Sequence, residues 1–127
     1  MRNNILNLLP YTGKQIFSRL TFTFLIAAQS IAARNVEITQ FGALGDAATL
    51  NTKALQMAID TCAETGGGEV TVPPGTYITG TIYLRSNVEL HLCRGSIIRG
   101  SYRNPEDYPT RSLIVADSIE NAGISGS

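Results

Sequence analysis

Between Glu69 and Gly100 apolar residues recur at every second position in very short stretches, and each stretch ends at a proline, glycine or asparagine. Val70 and Val72 form one set, Ile82 and Leu84 a second, and Val88, Leu90 and Leu92 a third. A period of two sends alternate side chains to opposite faces of a strand, so each stretch reads as a short strand with one buried face. Pro73-Pro74-Gly75-Thr76 predicts a tight turn, with Pro74 presetting φ and Gly75 taking the positive φ of a type II turn. Asn87 separates the next two strands, and Gly95 and Gly100 bracket Ser96-Ile97-Ile98-Arg99. Strands joined by such short corners fit a solenoid. A β-sandwich of hairpins would want two-residue Asn-Gly or Asp-Gly turns, and the chain has none.

Upstream the period changes. Val36 to Thr39 alternates briefly and runs into Phe41-Gly42-Ala43-Leu44-Gly45-Asp46, where two glycines three apart signal a turn. Leu55, Ala58, Ile59, Cys62 and Ala63 then follow the i, i+3, i+4, i+7, i+8 spacing of one helical stripe, which predicts a helix over about 51–65. Asn51 is placed to cap it, and Gly66-Gly67-Gly68 ends it. About a dozen residues make a helix too short to hold alone in water, so its stripe must lie on another apolar surface.

An internal echo supports the solenoid. The run from Ile82 to Leu90 resembles the run from Leu113 to Ile124, with Asn87 matched to Asn121, 34 positions on. The polar stretch from Ser101 to Arg111 reads as an 11-residue insertion, and removing it leaves a period of 23. Periods in the low twenties belong to solenoids in which each repeat adds one coil.

Arg2, Lys14 and Arg19 precede an uncharged run from Leu20 to Ala33, with small residues at Ser30 and Ala32, which predicts a secretory signal over residues 1–32 cut before Ala33. That run falls short of the roughly 20 apolar residues of a stable membrane span. The expected location is outside the cell or in the periplasm. Residues 33–127 then carry seven basic against ten acidic residues, a formal charge of −3, which argues against a nucleic-acid partner. Arg85, Arg94, Arg99, Arg103 and Arg111 nonetheless fall within 27 residues, a density that suits either a solvated face or an acidic glycan. Cys62 and Cys93 are the only cysteines, and with nothing to place them within bridging distance the expectation is two buried, unpaired thiols.

Several motifs in order resemble the opening of glycoside hydrolase family 28, which includes polygalacturonases and rhamnogalacturonases. They are Phe41-Gly42-Ala43-Leu44-Gly45-Asp46, Leu50-Asn51-Thr52-Lys53-Ala54-Leu55-Gln56 with Ala58-Ile59-Asp60, Gly66-Gly67-Gly68, Pro73-Pro74-Gly75-Thr76-Tyr77, Thr79-Gly80-Thr81-Ile82, Leu84-Arg85-Ser86-Asn87-Val88 and Leu90-His91-Leu92. Many relatives carry Gly-x-Thr-Asp-Asp-Thr where this chain has Ala47-Ala48-Thr49-Leu50-Asn51-Thr52. The resemblance implies a right-handed parallel β-helix, an all-β solenoid whose N-terminal end is covered by the 51–65 helix. It also implies inverting hydrolysis of pectin or polygalacturonate, an acidic plant polysaccharide, by a protein that is monomeric when full length. No cofactor is implied.

The family's later motifs, an Asn-Thr-Asp, an Asp-Asp pair, a Gly-His-Gly and an Arg-Ile-Lys, do not occur in this sequence. The expectation is therefore an N-terminal piece of a hydrolase, cut short inside a coil at Ile124-Ser125-Gly126-Ser127 and inactive alone, with no catalytic, cofactor or metal residues of its own. Other readings on the same fold are a glycan-binding module without catalysis and a polysaccharide lyase or epimerase. Inverting hydrolysis needs two carboxyl groups roughly 6.5–9.5 Å apart. Glu106-Asp107, the one adjacent acidic pair, lies between Pro105 and Pro109 and reads as solvated loop charge. His91, the sole histidine, alternates with Leu90 and Leu92, so it belongs with Glu89 and Cys93 on the outer face of a strand. No Cys/His spacing matches zinc, no acidic cluster suits calcium, and no Gly-x-Gly-x-x-Gly follows a strand into a helix.

Overall fold

A computed structural model describes residues 34–127. The secretory segment read over 1–32 lies outside the described residues. Nine short strands and one α-helix follow in chain order: β1 (Arg34–Glu37), β2 (Asp46–Leu50), α1 (Thr52–Glu64), β3 (Gly68–Val72), β4 (Gly75–Thr79), β5 (Ile82–Tyr83), β6 (Val88–Leu92), β7 (Ser96–Gly100), β8 (Ile114–Val115) and β9 (Gly123–Gly126). Every strand pairing is parallel, and neighbours in a sheet are never neighbours in sequence. One sheet runs β1-β3-β6-β9, a second β2-β4-β7 and a third β5-β8. The chain thus visits three faces in turn and returns to the first one layer on, which is a parallel β-helix. Hairpins are excluded, because parallel partners need a crossover and here the rest of the coil supplies it.

The coil length can be read from the register. Gly68 faces Val88, a step of 20 residues, and Gly75 faces Ser96, a step of 21. Ile82 faces Ile114, a step of 32, so 11 extra residues enter between β7 and β8, the size and place of the expected insertion. Leu90 faces Ile124, a step of 34, and Asn87 and Asn121 stack side by side. Both sit at positive φ, 64° and 54°, a conformation asparagine tolerates better than most residues. The short corners therefore repeat because the backbone must turn left-handed at the same place in each coil.

Stacked coils align like residues. Val36, Val70, Leu90 and Ile124 form one inward column, and Val72 and Leu92 belong to the next. Ile38, Leu55, Ala58, Ile59, Cys62, Val70, Val72, Ile82, Val88 and Leu90 are fully buried and form one core with Tyr77 and Leu84. The helical stripe points into this core as its spacing requires, and Ala54 joins it.

Polar contacts then fasten α1 to the nearest coil. The Gly80 amide donates to Thr52 Oγ1 (2.7 Å), and the Gln56 side chain accepts from the Tyr83 amide (2.8 Å) and donates to the Tyr83 carbonyl (3.0 Å). Asp60 completes the row by pairing with Arg85 Nε at 2.8 Å.

Three local expectations need correction. Asn51 stands at the start of α1, but its side chain bonds none of the helix's free amides. It is 2% exposed and turns back on the preceding loop, accepting from the Leu44 amide (2.8 Å) and donating to the carbonyls of Leu44 (3.0 Å) and Thr49 (2.9 Å). The turn at Pro73-Pro74 is shorter than a type II turn: Gly75 already belongs to β4 and has φ +142°, far from the roughly +80° of that turn. Residues 46–50, without apolar alternation, form a strand all the same. Asp46 and Leu50 keep register with Thr76 and Ile78 across a bulge, where Ala47 adopts φ 60° and Asp46 bonds the amides of Ala48 and Thr49.

Candidate functional site

His91 and Glu89 lie on the outer face of β6, as the alternation requires. Both ring nitrogens of His91 meet serine hydroxyls of the next coil, Nδ1 at 2.8 Å from Ser125 Oγ and Nε2 at 3.3 Å from Ser127 Oγ. Thr71 lies beside it in register, and no carboxylate bonds the ring. The imidazole thus ties adjacent coils together. Cys62 and Cys93 are both free. Cys62 is fully buried, and burial pushes its thiol above the ordinary range, so it stays protonated and inert. Cys93 is only partly buried, which corrects the expectation of two buried thiols.

The five arginines do not converge. Arg85 is committed to Asp60 beside α1. Arg99, on the outward side of β7, and Arg103, in the insertion, border one groove of about 350 Å³ on the outside of the β2-β4-β7 sheet. Its apolar wall comes from Leu50 and Ile78, which lie in register with Arg99 across the three strands. Tyr102, Asn104 and Asp107 from the insertion close the other side.

The insertion is held there by defined contacts. The Thr81 amide donates to the Asp107 carbonyl (2.8 Å), the Tyr108 hydroxyl to the Thr79 carbonyl (3.1 Å), and the Thr81 hydroxyl to the Ser112 carbonyl (2.6 Å). Gly80 lets the backbone of Asp107 approach: a Cβ there would stand 2.4 Å from the Asp107 carbonyl oxygen. Glu106 is exposed, as a solvated loop charge should be, but its neighbour departs from that expectation. Asp107 is partly buried, and its Oδ2 is shielded from solvent with no donor among the described residues.

Asn104, Tyr102 and Arg103 carry no motif, and only the break in coil period pointed to their segment. A second, more open hollow of about 400 Å³ lies outside β1, β3 and β6, lined by Arg34, Glu69, Glu89 and the Asn87-Asn121 pair. Glu69 there is engaged by Asn35 and Thr71. Among the described residues no group of three or more His, Cys, Asp or Glu could hold a metal ion, and no helix is long and apolar enough to cross a membrane.

Residues 33–122 match the family described as rhamnogalacturonase A/epimerase, pectate lyase-like. The chain is 46% identical over 74 residues to an exo-poly-alpha-D-galacturonosidase of Dickeya chrysanthemi, covering 58% of this chain and 12% of that protein. Among solved structures it resembles a putative glycosyl hydrolase of Parabacteroides merdae, with TM-score 0.69 and 34% identity over 73% of this chain and 41% of that one. It also resembles a family 28 exopolygalacturonase of Yersinia enterocolitica, with TM-score 0.67 and 38% identity over 76% of this chain and 20% of that one. The chain therefore spans well under half the length of each.

Proposed function

We infer, from the premise that this chain belongs to the rhamnogalacturonase A/epimerase, pectate lyase-like family, that it forms the opening coils of a pectin-directed glycoside hydrolase of polygalacturonase type. The observation that carries the reading is the 46% identity, over 74 residues, to a protein named for cleaving poly-galacturonate. In this reading the described coils are scaffold and substrate-facing wall. Inverting hydrolysis of galacturonan belongs to residues that this sequence does not contain, because neither Glu106-Asp107 nor His91 has the opposed carboxyl partner that such chemistry requires.

Two structural roles go with it. The helix α1 serves as the terminal cap of a right-handed β-helix. What supports this is its polar row, since Thr52 and Gln56 take up backbone groups of Gly80 and Tyr83 that an adjacent strand would otherwise bond. Residues 1–32 serve as a secretory signal, supported by the basic residues ahead of the Leu20–Ala33 run. Sequencing the N-terminus of the exported protein should give Ala33, and an uncut Met1 would overturn that assignment.

The activity reading is tested by incubating the purified chain with polygalacturonate and following reducing ends. No release above buffer is expected, whereas steady release at a rate proportional to the chain would show that hydrolytic groups lie within these residues.

A further inference from the structure

We propose that the groove between the β2-β4-β7 sheet and the 101–113 insertion is a binding subsite for a uronate sugar, with Arg99 and Arg103 receiving its carboxylate. The proposal deepens the pectin reading and rests on it only for the identity of the sugar.

Charge is the first argument. Residues 33–127 carry a net −3, yet this groove gathers two guanidinium groups. Neither has a carboxylate within 4.0 Å among the described residues, where the one ion pair is Arg85 with Asp60. Arg99 reaches only the Ala47 carbonyl, at 3.4 Å. Guanidinium forks suit planar carboxylates, and two of them on one wall of a concave site favour an anion.

Shape and chemistry point to a sugar bearing that anion. Tyr102 is 89% exposed, a large aromatic ring held in solvent by the insertion. Such a ring offers a flat apolar face to the C–H side of a pyranose, while Leu50 and Ile78 supply apolar surface opposite. Asp107 contributes a shielded oxygen with no donor, and leaving such an acceptor unpaired is costly. A sugar hydroxyl donating to Oδ2 removes that cost. A volume of about 350 Å³ lies at the small end of ligand sites, roughly 300–1,000 Å³, and suits a short stretch of glycan over a whole helix of polymer.

The insertion is also positioned to do this. It is the one interruption of a regular 20- to 21-residue coil, and its contacts through Thr79, Gly80 and Thr81 hold its tip over the sheet. A spacer of no function would have no need of so firm a seat.

The test is isothermal titration of the full chain, at low salt, with short oligomers of galacturonate, of mannuronate and of neutral galactose, with the Tyr102 ring resonances followed by NMR in parallel. Binding of a uronate oligomer with displacement of those resonances is expected, and none for the neutral one. Arg99→Gln and Arg103→Gln should each weaken binding roughly tenfold, since each removes one charged hydrogen-bonding partner. Arg94→Gln, an exposed arginine outside the groove, should leave it unchanged. Equal binding of the neutral oligomer, or unchanged affinity in both groove variants, would overturn the proposal. Uptake of mannuronate with refusal of galacturonate would keep the subsite and defeat the pectin reading; refusal of every uronate would defeat the subsite and leave the pectin reading standing.

Discussion

The side-chain amide of Gln56 bonds Tyr83 as a neighbouring strand would, accepting from its amide at 2.8 Å and donating to its carbonyl at 3.0 Å, across 27 residues of chain. A helix residue thereby stands in for a missing coil at the edge of β5. The same side chain reaches Asp60 Oδ1 at 3.0 Å, so one amide links the Tyr83 edge to the Asp60-Arg85 pair.

Replacing Gln56 with Leu keeps the bulk and removes the pairing. Two partly buried backbone groups then lose their partners at roughly 1–3 kcal/mol each. We expect Gln56→Leu to lower stability by about 2 kcal/mol in urea unfolding, and amide exchange at Tyr83 to rise most. Unchanged exchange there would mean that the edge is covered by other contacts.

Asn51 separates two roles that make opposite forecasts. As a helix cap, serine in its place would be nearly as good. As a buried amide with three partners on the Leu44 to Thr49 loop, it cannot be replaced by a hydroxyl that reaches fewer of them. Asn51→Ser is expected to cost about 2 kcal/mol, close to the cost of Asn51→Ala. A loss below about 0.5 kcal/mol for the serine variant would restore the capping role.

Gly80→Ala sets a methyl group 2.4 Å from the Asp107 carbonyl oxygen, so the insertion must move. Its arginines at 103 and 111 make that movement readable. Trypsin should cut the variant at these sites several-fold faster than the parent chain, with little change elsewhere. Equal cleavage would show the insertion to be seated independently of Gly80.

Asp46 is fully exposed yet well anchored. Its carboxylate accepts the Thr49 amide (2.8 Å), the Thr49 hydroxyl (2.7 Å) and the Ala48 amide (3.0 Å), which together draw its pKa from 3.8 down to about 2, the Thr49 amide contributing most. A carboxylate with a depressed folded-state pKa adds stability that is fully present above its unfolded pKa. That stability is lost as pH falls from about 4 towards about 2. A carboxyl NMR titration should find its midpoint near 2, and a midpoint near 4 would mean the bulge at Ala47 does not hold in solution. Asp46→Asn should lack this portion of the acid dependence.

Much of the architecture was local information. Val70, Leu90 and their neighbours alternate because one face is buried. Asn87 and Asn121 recur because each coil turns left-handed at one point, and the Leu55-to-Ala63 stripe is helical because it packs on one side only. The 11 residues that break the coil period showed where a loop had to leave the solenoid. These signals depend on residues a few positions apart, so the sequence alone determined strand, helix, coil and insertion.

Partners chosen across tens of residues belonged to the tertiary structure. Asn51 turned from the helix to the Leu44 loop because that loop held unpaired backbone groups within reach. Residues 46–50 became a strand because β4 offered them an edge, against their own weak alternation. Arg99 and Arg103 share a groove while Arg85 does not, because the insertion folds back over one sheet and α1 lies beside another. Which polar group meets which depends on how coils stack, and a short window of sequence holds no record of the stacking.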